Sequence, residues 1–249
     1  MPSANLSNLV VPRIVVTVDG LAGTGKSSIA AGVASELGFV NFSTGLIYRA
    51  VGFLALQEGV SLEDEQALAE MLKRHTLELV DASNDLGGKK IGGSITLGIK
   101  LDGKIQGKNL RTPAVSEATS LASRFPVVRE QLLELQRTAY PDLNLVTEGR
   151  DMGSVVFTDA PVKFFIEVPV ETRVERRMRQ LSNQQPGLSA GQLTAEITRE
   201  IIERDKRDTE RSASPTVAAA DAIVIDNSKA SLDETIKKIA QIVRERCGL

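Results

Sequence analysis

The chain has 249 residues, long for one domain and short for two full ones. At 42% hydrophobic and 25% charged residues it is an ordinary globular composition, neither disordered nor fibrous. A net charge of −2 argues against a protein that coats nucleic acid, and the single cysteine, Cys247, excludes a disulfide framework or a cysteine zinc site. No apolar segment reaches the ~20 residues that a membrane-spanning helix needs. The opening Met-Pro-Ser-Ala-Asn has neither the basic start nor the apolar run of a signal peptide. The expectation is a cytoplasmic chain with a flexible tail over residues 1–12 and no membrane or nucleic-acid partner.

Ile14 to Val18 is a short apolar run rich in β-branched residues, as expected of a strand buried on both faces. The pattern then switches to helical spacing through Gly20-Leu21-Ala22-Gly23-Thr24-Gly25-Lys26-Ser27-Ser28. This is the P-loop pattern, Gly-x-x-x-x-Gly-Lys-Ser, between a strand and a helix. Its glycines let backbone N–H groups wrap around phosphate, and the helix adds its positive end. Lys26 supplies a cation for the terminal phosphates, and the Ser27 hydroxyl is placed for Mg²⁺. A nucleoside triphosphate ligand follows from that context.

Phe39 to Ser43 reads as extended, and a helix starts at Thr44, carrying Leu46, Ile47, Ala50, Val51 and Leu54 on one face. Arg49 on that helix has the bland reading of a solvated charge. The next helix, Leu62 to Arg74, is predicted to be capped by Ser61, and the only histidine, His75, reads as capping its last carbonyls. From Thr76 the chain turns to short β-like pieces separated by Gly87-Gly88, Gly92-Gly93 and Asp102-Gly103. This is antiparallel material, an insertion over about 76–107. Helices Pro113 to Ala122 and Pro126 to Thr138 each carry Pro in the opening turn.

Leu143 to Thr147 is another buried-strand run, followed by Glu148-Gly149-Arg150-Asp151-Met152-Gly153; Val162 to Ile166 is the next. A helix over Glu171 to Leu181 carries Arg173, Arg176, Arg177 and Arg179, and Ser182 to Ser189 reads as a mobile loop. A long charged helix, Gln192 to Arg211, precedes the last strand, Ala222 to Ile225, and the last helix, Leu232 to Arg246. Strands alternating with helical crossovers predict an α/β fold with a parallel sheet flanked by helices. Phosphate chemistry then belongs at the carboxyl ends of the strands.

Arg204, Arg207, Asp208 and Arg211 share about a third of one helix face. An i,i+4 ion-pair lattice is the plain explanation, yet three Arg to one Asp leaves that face short of an anion. Arg150-Asp151 stands just past a strand end, beside the P-loop in such a fold. Arginine suits both places because its planar fork binds phosphate oxygens in pairs. The Asn-Lys-x-Asp run of a guanine-reading GTPase is absent from the sequence.

From Arg13 to the last helix the chain resembles bacterial cytidylate kinases, a nucleoside monophosphate kinase family. The resemblance rests on Val18–Ser28, Ser43–Arg49, Leu110–Ser116, Glu148–Ala160, and Glu203–Asp208 with Arg211. It implies one P-loop kinase domain over 13–249, three-layered, with a β-rich monophosphate-binding insertion and a lid at about 173–195. The implied reaction is transfer of the γ-phosphoryl of MgATP to CMP or dCMP by a monomer. Arg49, Arg150 and Arg211 would hold the CMP phosphate, with Thr44 beside them. Arg111 and Asp151 would read cytosine, Arg204 and Asp208 would face the ribose, and Arg173 and Arg177 would cover ATP. Three positions depart from the family pattern: Ser43 and Glu148 stand where Asp is usual, and Gly107, by the simplest alignment, where a base-reading hydroxyl is usual.

Overall fold

A computed structural model of the chain describes residues 13–82, 97–181 and 190–249. Strand β1 (Val15–Gly20) is buried along its whole length. It lies between β6 (Leu145–Glu148) and β7 (Val162–Glu167), and β2 (Val40–Ser43) and β8 (Ile223–Asp226) close the edges. The order is β2-β6-β1-β7-β8 with every pair parallel, as the alternation of strands and helices predicts. Alternate side chains feed two cores. On one face Val16, Val18, Val146, Phe164 and Ile166 pack with Ile29 and Val33 of α1 (Lys26–Leu37) and Ile239 and Val243 of α8 (Leu232–Cys247). On the other, Val40, Phe42 and Leu145 pack with α2 (Gly45–Glu58), α3 (Glu65–Arg74) and α5 (Pro126–Arg137). Each fully buried Leu, Ile or Phe contributes about 1.5–3 kcal/mol.

Helix α4 (Pro113–Ala122) crosses α2 at Gly52, where a Cβ would lie 2.7 Å from the Thr119 backbone nitrogen. That approach brings Arg49, one turn earlier on α2, within 2.8 Å of Ser116 Oγ.

The antiparallel insertion is present as β3 (Leu77–Asp81), β4 (Leu97–Leu101) and β5 (Lys104–Gln106). Asp102 and Gly103, both at positive φ, make the two-residue turn between β4 and β5. Ile99 and Leu101 join the same core as α2 and α3. The Gly87-Gly88 and Gly92-Gly93 turns, the tail over residues 1–12 and the loop 182–189 lie outside the described residues. Helices α6 (Val170–Leu181) and α7 (Ala190–Glu210) pack through Val174, Leu193 and Ile197.

Two local details differ from the sequence expectation. Helix α3 starts at Glu65 with Asp64 as its cap, accepting from the Ala67 amide at 2.9 Å, because residues 62–64 form a turn that Ser61 opens. His75 does not cap carbonyls with its ring; it bridges Glu58 and Asp102. One feature has no periodic signal in the sequence. After β6 the chain makes a wide π-type turn, Met152–Val156, in which the Val156 amide reaches back five residues to Asp151 O at 3.1 Å and that of Phe157 to Met152 O at 2.7 Å.

Candidate active site

The carboxyl ends of β1, β2 and β6 converge where the P-loop leaves the sheet. In register, Val18 and Ser43 both face Glu148. At Gly20 a Cβ would lie 2.5 Å from Ile166 O, so the turn out of β1 excludes any side chain. Gly25, at φ 87°, then starts α1. Lys26 is buried, and its ammonium donates to Leu21 O at 3.1 Å. Burial first, then the guanidinium of Arg150, lowers its pKa to about 7, with Glu148 opposing. Ser27 and Ser28 are exposed on the first turn of α1.

Beside Lys26 and Ser27 opens a cleft walled by α2, α4, α5, α7 and the segment after β6. It presents six cationic side chains, Lys26, Arg49, Arg129, Arg150, Arg204 and Arg211, against the carboxylates of Glu148, Asp151 and Asp208. This excess of basic over acidic side chains, in a chain of net negative charge, suits a polyanion. Arg150 Nε donates to Asp208 Oδ2 at 2.9 Å. Burial alone would raise the Asp208 carboxyl, but Arg150 and Arg204 hold it below the usual range. Burial and Arg150 bring Arg204 down to about 10; burial and Arg129 do the same for Arg211. Among the described residues, Arg204 Nε and Arg211 Nη2 are buried with no hydrogen-bond partner, the state of donors arranged for an anion. Arg49 is half-buried, donating to Leu110 O at 3.0 Å as well as to Ser116, so it is not a solvated charge. Arg207, by contrast, turns to α4, pairing with Glu117 at 3.1 Å and donating to Ser120 Oγ at 3.2 Å.

The structure does not bring Arg111 to Asp151. Arg111 is exposed at the end of a 3₁₀ turn (Lys108–Arg111) outside the cleft lining. Asp151 instead forms a buried ion pair with Arg129 of α5, whose guanidinium also donates to Ser123 O at 3.2 Å and lies over the Tyr48 ring. Gly107 is displaced from the cleft likewise; its amide donates to Asn109 Oδ1, and the hydroxyls lining the cleft come from Ser116, Thr119, Ser120 and Ser123 of the α4 region. The physical reason is helix geometry: residues of α4 and α5 one or two turns apart face the same cleft, whereas the 3₁₀ turn ahead of them buries Leu110 in the core and so turns Lys108, Asn109 and Arg111 to solvent. Arg129 escaped the sequence reading, although an Arg seven residues before Gln136 on the same face as Leu132 was the available signal.

Asp19 escaped it too. Its carboxylate, at the end of β1, accepts the amides of Met152 at 2.9 Å and Gly153 at 2.8 Å, so it fixes the π-type turn against the P-loop strand. Burial raises its pKa to about 7 against those two amides. Thr44 lines the cleft, but its hydroxyl donates to Glu148 O at 3.1 Å. Arg173 is buried under the P-loop, donating to Ala22 O at 3.0 Å and pairing with Asp205 at 2.6 Å, while Arg177 is exposed and donates to Gln180.

The donor set suits a magnesium ion that arrives with phosphates. Ser27 Oγ and the Glu148 carboxylate line one cleft, the latter accepting from Ser43 Oγ. No cluster of three or more His, Cys, Asp or Glu able to hold a metal by itself occurs among the described residues. Mg²⁺ in phosphoryl-transfer sites takes one or two protein oxygens and fills its octahedron with phosphate and water.

The family model for cytidylate kinase matches residues 16–245. The cytidylate kinase of Methylococcus capsulatus is 42% identical, with 92% of this chain and 96% of that protein covered. That of Pelotomaculum thermopropionicum is 39% identical over 90% of this chain and 93% of the relative, and that of Klebsiella pneumoniae 36% identical over 94% and 97%. Among solved structures, an uncharacterized protein from Eubacterium ventriosum superposes with a TM-score of 0.51 at 12% identity, covering 94% of this chain and all of that one, a likeness of fold alone. On this evidence the chain belongs to the cytidylate kinase family.

Proposed function

We propose that the chain phosphorylates CMP, and dCMP with it, by in-line transfer of the γ-phosphoryl of ATP. Family membership supports the activity, and one observation supports the assignment of the base: a buried Arg129–Asp151 pair lines the same cleft as Lys26, Arg49, Arg150 and Arg211.

Cytosine presents an amino donor beside a ring-nitrogen acceptor, so a carboxylate next to a guanidinium is its complement. Uracil reverses both groups, setting a carbonyl against Asp151 and an N–H against Arg129. Two buried mismatched contacts cost about 2–4 kcal/mol, ~30- to ~900-fold. Ser120, whose oxygen accepts from Arg207, keeps a proton to donate to the base. Arg49, Arg150 and Arg211 would hold the monophosphate, and Lys26 the terminal donor phosphates. These cations cancel the repulsion between two polyanions so that an acceptor oxygen can lie in line with the γ-phosphorus. Arg204 and Asp208 would then flank the sugar. Bound Mg²⁺ would spread the charge that develops on the transferred group, with Ser27 as its protein ligand and Glu148 nearby. The lid assigned to about 173–195 would exclude water on closing.

ATP consumption with CMP, dCMP, UMP and AMP as acceptors tests this reading. CMP and dCMP should support turnover at least ~30-fold better than UMP and AMP. Equal use of AMP would place the chain among kinases for another acceptor.

A further inference from the structure

The outer edge of the P-loop carries contacts that none of the roles above uses. The carbonyl of Thr24 accepts from Asn227 Nδ2 at 3.2 Å and from Arg176 Nη1 at 3.3 Å. The two donors also hold each other, because Arg176 Nη2 donates to Asn227 O at 2.6 Å. Asn227, only 4% exposed, is itself fixed from two sides. Its Oδ1 accepts from Thr235 Oγ1 of α8 at 2.9 Å, and its amide donates to Glu167 O at the end of β7 at 3.0 Å. A carboxamide held by α8, on a backbone whose N–H is tied to β7, and a guanidinium from α6 thus meet on one P-loop carbonyl.

In a trans peptide unit the C=O and the following N–H point in opposite directions. Holding the Thr24 carbonyl outward therefore turns the Gly25 N–H inward, toward the start of α1 where such amides bind phosphate. Gly25 is matched to this arrangement: a Cβ there would lie 3.3 Å from Asn227 Nδ2 and 3.7 Å from Arg176 Nη1. The neighbouring carbonyl of Ala22 is held in the same manner by Arg173, three residues before Arg176 on α6.

We propose that Asn227 and Arg176 are positioning residues for the phosphoryl donor: they orient the Gly25 amide toward the triphosphate and make its aim depend on where α6 sits. The proposal rests on the reading that the P-loop binds ATP. A plain structural role for the same side chains would lower thermal stability and leave substrate affinities alone.

The test measures the MgATP dissociation constant, KM for CMP, and the ligand-induced shift of the Gly25 amide resonance in the full chain. Asn227→Ala and Arg176→Lys should each weaken ATP binding about tenfold, leave KM for CMP within about twofold, and shrink the Gly25 shift. Their combination should be far less than additive, since both act on one carbonyl. Thr235→Val removes the hydroxyl that orients the carboxamide, together with its contact to Ser231 O at 3.0 Å in the first turn of α8, and should weaken ATP about two- to fourfold; it carries the test if Asn227→Ala does not fold. Unchanged ATP affinity in these variants, or an equal rise in KM for CMP, overturns the proposal. Failure of the unaltered chain to bind MgATP would sink the P-loop reading itself, a distinct result.

Discussion

Lys26 is held in a place that disfavours its own charge, buried and next to Arg150, with its pKa lowered to about 7. A lowered lysine pKa costs stability at any pH below the ordinary value near 10.5, so the site is strained for function. Lys26→Ala should therefore keep or raise the thermal midpoint at pH 7 while cutting kcat by more than ~100-fold. A large loss of stability would mean that the lysine is a structural residue. Single substitutions also separate the two candidate base readers. Arg129→Ala should lower the CMP-to-UMP ratio of kcat/KM sharply, whereas Arg111→Ala, an exposed change, should move it by less than about threefold. The reverse ranking would restore Arg111 as the base reader. The P-loop residues were legible because their spacing is itself the chemistry. Arg129 was not, because its role comes from a contact 22 positions away in sequence that no local pattern announces.

Helix and strand identities followed from periodicity nearly throughout, and the exceptions occur where a side chain far off in sequence takes over. The π-type turn after β6 is pinned by Asp19, which accepts its first two amides, and that contact spans more than 130 residues. His75 likewise joins elements that adjacency does not connect: Glu58 at the end of α2 and Asp102 in the β4–β5 turn, with Arg74 of its own helix also on Glu58. The Asp102 hydrogen bond raises the His75 pKa, burial opposing it and Glu58 reinforcing it. A raised histidine contributes stability that is complete below its unfolded value and is lost as pH rises through the folded one. Glu58, lowered mainly by His75, and Asp102, lowered by the Thr76 amide and then His75, contribute only above their own depressed values. The tie between the core helices and the β-insertion should thus be firmest in mild acid. The midpoint difference between the chain and His75→Gln should be largest near about pH 5–6 and shrink toward about pH 9. A difference that grows with pH would show that the ring acts by packing alone.

At the scale of the whole molecule, the parallel sheet brings five chain segments to one end, and the cleft collects residues from Lys26 to Arg211 there. The fold class was readable from strand–helix alternation, and with it the end of the sheet at which the P-loop and the charged cleft meet, because a parallel sheet places its strand ends on one side. The division of labour among the arginines was not, since Arg150, Arg173, Arg204 and Arg207 look alike in sequence and differ only in which carboxylate or carbonyl each meets. In the proposed reaction, the buried Arg129–Asp151 pair selects cytosine for phosphorylation. The most direct test of that selection is the ratio of kcat/KM for CMP over UMP, measured for the unaltered chain and for Asp151→Asn, which keeps the shape and removes the charge. The expected result is a ratio of at least ~30 that drops about tenfold or more in the variant, because an amide can turn its donor to the uracil carbonyl. A ratio near one in the unaltered chain, or one that Asp151→Asn leaves untouched, would contradict it.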